Sequence, residues 1–306
     1  MLYIVGYWHL FNYTSAFPSY NNLFTSKLTL ILLGLFVLLS GFLVGKSSTN
    51  DSSVFGFYKK KLFRIYPLYA LAVILFYLYD LNSSIVSIKS LIFVSMYLGP
   101  TPKTLWFITM VFSFYLITPL SMKWIENPIK FLAMNSFIFI IIFILLIILK
   151  TVDYRILLYF PSYCLGLYCS RYGLVTRAVN YKVGVLSLLI WVGIFLIETN
   201  SWTLNQLKNI PLVLSFSYLI FLVSHLNENK LKNFKIISKL SYSSYAMYLF
   251  HRPIYSSLIY LYFPSNNNEQ VLYLMGPCLL IVFFLSWAIQ KLYDSMRYTK
   301  FYSRTN

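Results

Sequence analysis

Apolar residues run along this chain in long blocks, and the gaps between the blocks hold most of the charges. A helix that crosses a bilayer needs roughly 20 mostly apolar residues. The blocks predict ten such helices, over residues 1–15, 28–45, 65–80, 105–120, 131–149, 156–170, 183–198, 209–226, 241–263 and 270–290. The apolar stretch 89–99 is too short to cross and predicts an interfacial or re-entrant segment. No run alternates apolar and polar residues as a membrane barrel strand would. The predicted fold class is therefore all-α, a polytopic helical bundle in a membrane. No internal repeat is visible, which argues against a transporter built from inverted halves.

The basic residues add a direction. Alternate gaps, taken with the C-terminal tail, hold eighteen Lys and Arg: Lys46, Lys59, Lys60, Lys61, Arg64, Lys123, Lys130, Arg171, Arg177, Lys182, Lys230, Lys232, Lys235, Lys239, Lys291, Arg297, Lys300 and Arg304. The gaps between them hold six: Lys27, Lys89, Lys103, Lys150, Arg155 and Lys208. Short cytoplasmic loops carry the excess of positive charge, so both ends are predicted inside. The expected organisation is one integral membrane domain over 1–306, with 291–306 as a basic cytoplasmic tail. The N-terminus has no basic segment or small-residue cleavage site of a signal peptide, and the first span serves as the insertion signal. The expected location is the inner (plasma) membrane, as a multi-pass protein.

Composition agrees with that reading. The chain is 59% hydrophobic, 20% aromatic and only 11% charged, against about a quarter charged in soluble domains. A net charge of +17 would suggest nucleic acid in a soluble protein. Here the charges stand beside spans, where they set topology and touch anionic lipid, so lipid is an expected partner and nucleic acid is not. Cys164, Cys169 and Cys278 stand in apolar runs with no His or carboxylate at ligand spacing, and read as packing residues. No metal or permanently bound cofactor is expected.

Ionisable groups within hydrocarbon are costly and mark candidate sites. His9 lies in the first predicted span, and His251 and Arg252 lie in the ninth. At 1.5 Å per residue, both histidines sit roughly 13–15 Å from the cytoplasmic ends of their helices. That depth permits a shared cavity without requiring one. His225 falls at a helix end and reads as a boundary residue. Asp80 and Glu198 stand at outer ends, and no carboxylate lies deep in a span. That argues against a proton-coupled transporter, and it leaves histidine as the base available inside the membrane. The bland alternative is a histidine that hydrogen-bonds a neighbouring helix.

Four cations, Lys59, Lys60, Lys61 and Arg64, stand where the chain enters the third predicted span, with Pro67 expected in its first turn. They read either as positive-inside anchoring or as a cytoplasmic anion site. If the helix begins early enough, Lys61 and Arg64 share a face and suit a phosphate-bearing ligand. Ser40-Gly41 ends the second span on the same side and allows close helix packing with a hydroxyl contact.

Taken in order, these strings resemble the membrane-bound acyltransferase-3 family, the O-acetyltransferase-like proteins of bacterial surface polysaccharides. The strings are His9; Leu39-Ser40-Gly41-Phe42; Lys61-Leu-Phe-Arg64-Ile-Tyr-Pro67-Leu-Tyr69; Leu105-Trp106-Phe107 with Phe114-Tyr115-Leu116 and Pro119; and Ser244-Tyr245-Ala-Met-Tyr248-Leu249-Phe250-His251 followed by Arg252 and Pro253. The resemblance implies transfer of an acyl group, usually acetyl, from cytoplasmic acyl-CoA to a sugar hydroxyl. It implies an essential role for His9 and a donor site at Lys61 and Arg64, with Ser40 and Tyr69 beside them. There are departures. Residues 1 to 8 lack the arginine usually found upstream of the histidine, which a start upstream of Met1 would supply. Lys61 stands where arginine is common and lacks its fork geometry. Val111 and Phe112 fill a stretch where many members carry Glu.

The expected mechanism holds the coenzyme A phosphates at the basic entrance while the pantetheine arm reaches His9. His9 then either removes the acceptor proton or takes the acyl group itself. His251 would bind or orient the acceptor, and Trp106 would stack on a sugar or sit as an interfacial belt residue. The competing classes are a non-enzymatic transporter or flippase of a lipid-linked saccharide, and a polysaccharide polymerase.

Overall fold

The computed structural model describes residues 2–15, 23–48, 53–172, 185–186, 189–193, 201–227 and 234–302. The described residues are mostly helical and include no strand. Its helices are α1 (Leu2–Tyr13), α2 (Leu23–Ser48), α3 (Val54–Leu78), α4 (Ser84–Leu91), α5 (Ser95–Leu98), α6 (Trp106–Lys123), α7 (Pro128–Leu149) and α8 (Arg155–Tyr172). They continue with α9 (Trp202–Leu207), α10 (Ile210–Leu226), α11 (Lys235–Leu261), α12 (Asn267–Tyr273) and α13 (Leu279–Tyr302), with a π turn, Leu274–Cys278, before α13.

Six described segments are long and apolar enough to cross a membrane: Phe24–Ser47, Val54–Leu78, Trp106–Lys123, Pro128–Leu149, Trp202–Leu226 and Asn267–Met296. Of the other four expected spans, 183–198 lies mostly outside the described residues. Helix α1, at 12 described residues, is shorter than these six. Helices α8 and α11 have the length, 18 and 27 residues, but their tyrosines, serines and charges dilute the apolar run. Helix α7 carries the most extended apolar exterior, with Leu132, Phe137, Ile140, Ile144 and Ile148 all exposed. Water would not tolerate such a face, and lipid covers it without penalty.

Local sequence explains several helix ends. The Asn127 side chain accepts from the backbone N–H groups of Ile129 and Lys130 at 3.0 and 3.1 Å, and Pro128 opens α7 with a φ already helical. The stretch 89–99 holds only α5 and the end of α4; Lys89 ties it down by donating to the carbonyls of Leu98 and Gly99. Helix α3 begins at Val54, eleven residues before the expected start at 65, so Pro67 lies inside the helix and not in its first turn. The interior proline removes one rung of the ladder. Two residues upstream, the Ile65 carbonyl accepts from the Tyr245 hydroxyl at 2.9 Å.

The chain divides into two compact units. One comprises residues 1–26, 65–87 and 228–306; the other comprises 27–64 and 88–227. In the first, α11 packs along α13, α1 joins them, and Val5, Met247, Tyr255, Leu274, Cys278 and Val282 form the core. In the second, α8 packs on α10, with Leu38, Cys169, Tyr218 and Phe221 at the centre. A stripe of small residues brings α2 against α8. A Cβ on Gly41 would lie 2.3 Å from the Tyr163 carbonyl oxygen, and one on Gly166 would lie 2.1 Å from that of Leu38. Only glycine permits backbones this close, so the packing role read for Ser40-Gly41 holds.

Candidate active site

Helix α1 presents Val5, His9 and Tyr13 at four-residue spacing, and α11 presents Met247, His251 and Tyr255 at the same spacing. Residues four apart share a helix face, and within the first unit these two stripes meet. The His9 ring lies parallel to that of Tyr255, with centroids 3.7 Å apart and 11° between planes. Tyr13 stacks on it at 5.6 Å and 3°. The His251 ring stands edge-on, 5.4 Å away at 82°. His9 is 1% exposed and His251 is fully buried. The shared location that helix depth alone only permitted is therefore present.

The hydrogen bonding of the two rings differs. His251 Nδ1 lies 2.8 Å from the Tyr248 carbonyl oxygen and 3.1 Å from that of Met247. Both are acceptors, so Nδ1 carries the proton and Nε2 is left with a lone pair. Neither His9 nitrogen, nor Nε2 of His251, has a hydrogen-bond partner among the described residues. Arg252, 6% exposed, adds a buried cation beside them. The Tyr255 hydroxyl donates to the Leu274 carbonyl at 2.9 Å, which anchors the stacking ring to the π turn. Such turns leave carbonyls outside the α ladder and recur at functional sites.

In the second unit, Ser40 and Lys61 gather around a residue the sequence reading did not single out. The Ser40 and Tyr115 hydroxyls are 2.6 Å apart. The Lys61 ammonium lies 5.8 Å from the centre of the Tyr115 ring and 5.5 Å from that of Phe57, and donates to the Ser47 hydroxyl at 3.1 Å. Because α3 starts early, Lys61 and Arg64 are three apart on one helix, as the anion-site reading required; Arg64 is exposed. Tyr69, grouped with them from the sequence, is fully buried and belongs to the first unit. Tyr115 lies in the string Phe114-Tyr115-Leu116, and the spacing alone held no sign that it faces Ser40. Tyr255 was legible in principle, four residues after His251.

Trp106 sits at the start of α6. The Arg155 guanidinium lies 4.0 Å from its ring centre, and the Tyr159 ring stacks at 6.2 Å. Arg155 is itself held by Asp153 and by the Thr101 hydroxyl at 3.1 Å. Burial pulls this guanidinium down, but the hydrogen bond and charge of Asp153 outweigh it and hold the group above its usual value. Trp106 therefore carries a protein cation on its ring. His225 is exposed in the last turn of α10, as a boundary residue would be. The Cys164 thiol donates to Asn135 at 3.3 Å, and Cys169 and Cys278 are buried in the two cores.

The described residues form helices and no strand, six segments among them are apolar and long enough to cross a membrane, and two buried imidazoles lie side by side. The sequence model of the acyltransferase-3 family, described as an acyltransferase domain, matches residues 1–291, and the chain belongs to that family. It is a multi-pass membrane acyltransferase. No curated protein matches the chain, and no solved structure does.

Proposed function

We propose that the protein moves an acetyl group from cytoplasmic acetyl-CoA to a hydroxyl of a cell-surface or lipid-linked polysaccharide sugar. In this reading it crosses the plasma membrane about ten times with both ends inside, as the positive-inside charge split supports. One observation carries the proposal: a buried imidazole, His9, has no hydrogen-bond partner for either ring nitrogen among the described residues, in a protein of an acyltransferase family. A buried polar group without a partner costs about 1–3 kcal/mol. It persists where a ligand completes it.

His9 accepts the proton of the sugar hydroxyl. The oxygen attacks the thioester carbonyl, the new C–O bond forms, and the C–S bond breaks. The proton passes from His9 to the leaving thiolate, so the products are the O-acetyl sugar and free coenzyme A. The donor phosphates are held by Lys61 and Arg64, with Ser40 on the same side and Tyr69 further along α3. The Lys61–Ser40–Tyr115 grouping supports a polar entrance there. For the acceptor, the reading assigns His251 to the His9 side of the first unit, and Trp106 to sugar stacking in the second unit.

The test supplies membranes containing the protein with labelled acetyl-CoA and measures label in polysaccharide. His9→Ala should lose transfer at unchanged membrane abundance; full transfer by that variant removes His9 from the chemistry. Lys61→Ala combined with Arg64→Ala should weaken coenzyme A binding by about tenfold or more, and unchanged affinity removes the entrance.

A further inference from the structure

Within the proposed transfer reaction, the base needs one ring nitrogen with a lone pair and the other with a proton. Nothing on α1 among the described residues sets which is which for His9. Its two nitrogens have no partner among the described residues, and Tyr255 and Tyr13 lie parallel to its plane. A ring left without any such partner would interconvert between tautomers, and in one of them the nitrogen facing the substrate is already protonated and cannot act as a base.

The neighbouring ring has the missing property. His251 donates its Nδ1 proton to the Tyr248 and Met247 carbonyls, one turn back on its own helix. A neutral His251 can therefore only accept at Nε2. That atom is buried, has no partner among the described residues, and belongs to a ring whose centre is 5.4 Å from that of His9. Two imidazoles joined by one N–H···N bond have a ring radius of just over 1 Å on each side of a roughly 3 Å hydrogen bond, which places their centres about 5 Å apart with any twist between planes. The observed pair is within a small side-chain adjustment of that contact.

We infer that His251 is a positioning residue for His9: its Nε2, made an obligate acceptor by the backbone carbonyls of α11, takes the His9 N–H and so selects the His9 tautomer whose other nitrogen is the base. The arrangement is a neutral counterpart of an acid–base dyad with a carboxylate orienter. A neutral orienter suits this place. No described carboxylate lies near the pair; the cation Arg252 and the hydroxyls of Tyr13, Tyr248 and Tyr255 are the titratable groups around it, with Cys278 in the same core. When His9 becomes an imidazolium during transfer, the same Nε2 lone pair faces its N–H. Orientation of this kind gives His251 a role acting through His9, where the sequence reading had it contact the acceptor.

The chain has three histidines, so ring-¹⁵N-labelled protein in detergent gives few signals, assignable with single variants. The wild type should show His9 in one neutral tautomer and His251 as the Nδ1–H form. In His251→Phe, His9 should become a mixture of tautomers, and kcat should fall by about 100-fold with the KM for acetyl-CoA within twofold. In His251→Gln, whose amide oxygen can accept, about tenfold of that loss should return. If His251→Phe is not monodisperse, the wild-type and His251→Gln spectra carry the same reading. A His9 signal that is a mixture in the wild type, or is unchanged in the variants, overturns the inference. The ring signals do not depend on turnover. Loss of the transfer activity itself from the wild type would remove the proposed function and leave the tautomer result to stand or fall separately.

Discussion

Two buried polar clusters in this protein treat their hydrogen-bonding groups differently. Between α6, α7 and α8, Thr118 and Tyr163 share a hydroxyl contact at 2.5 Å, Ser121 donates to Asn135 at 2.8 Å, and the Asn135 amide donates to the Phe131 carbonyl at 2.8 Å. Between α1 and α11, three imidazole nitrogens in the same kind of burial have no partner among the described residues. Both clusters pack tightly against apolar neighbours. A paired network makes helices agree on one register, whereas an unmet cluster raises the energy of the resting protein and lowers it when a suitable ligand arrives. In the proposed reading the first kind of cluster is structure, and the second is a site.

The comparison breaks most visibly at His9. His9→Ala should lower acyl transfer by about 10³-fold or more, in line with removal of a base, while the detergent-solubilised protein keeps the thermal transition of the wild type. A fall in both would place His9 with the structural cluster. The next largest effect belongs to the α2–α8 contact. Gly166→Val sets a side chain against the Leu38 carbonyl, and should lower stability by about 3 kcal/mol, read as an earlier transition in a thiol-reactive unfolding assay. A transition at the wild-type temperature would mean the helices separate at no cost.

Asn135→Leu leaves the Ser121 hydroxyl and the Cys164 thiol without their acceptor, and should cost about 2 kcal/mol. Acetyl transfer per folded molecule should not change, since this network is structural; a specific loss of turnover would redraw the boundary between the clusters. Smallest is Tyr255→Phe. It removes the bond to the Leu274 carbonyl but keeps the ring on His9, and should reduce stability by about 1 kcal/mol. Turnover reduced by no more than a few-fold would show that the stacked ring, and not the hydroxyl, matters to His9.

The helical class, the apolar lengths of α2, α6 and α7, and the membrane acyltransferase family were legible in the residues themselves. These follow from local properties: block length, charge placement between blocks, and short strings whose order survives without a fold. The candidates His9, His251, Lys61 and Ser40 were legible for the same reason, since an ionisable or hydroxyl group in an apolar block stands out. The start of α3 was less so, because Phe57-Tyr58 and Lys59-Lys60-Lys61 read as a loop by charge although they continue the helix from Val54. A lysine's long stem lets a charged stretch remain helical while its ammonium reaches polar groups, as Lys61 reaches Ser47.

From the residues alone came the spacing of Val5, His9 and Tyr13 and of Met247, His251 and Tyr255, hence which side chains share a face. Only the packed structure decided that these faces meet, that Tyr255 covers His9, and that Tyr115 stands opposite Ser40. The physical reason is that a helix face is a local property of the chain, fixed by 3.6 residues per turn. Which other face it buries against depends on side-chain volumes and close approaches, such as those at Gly41 and Gly166, summed over residues far apart in sequence.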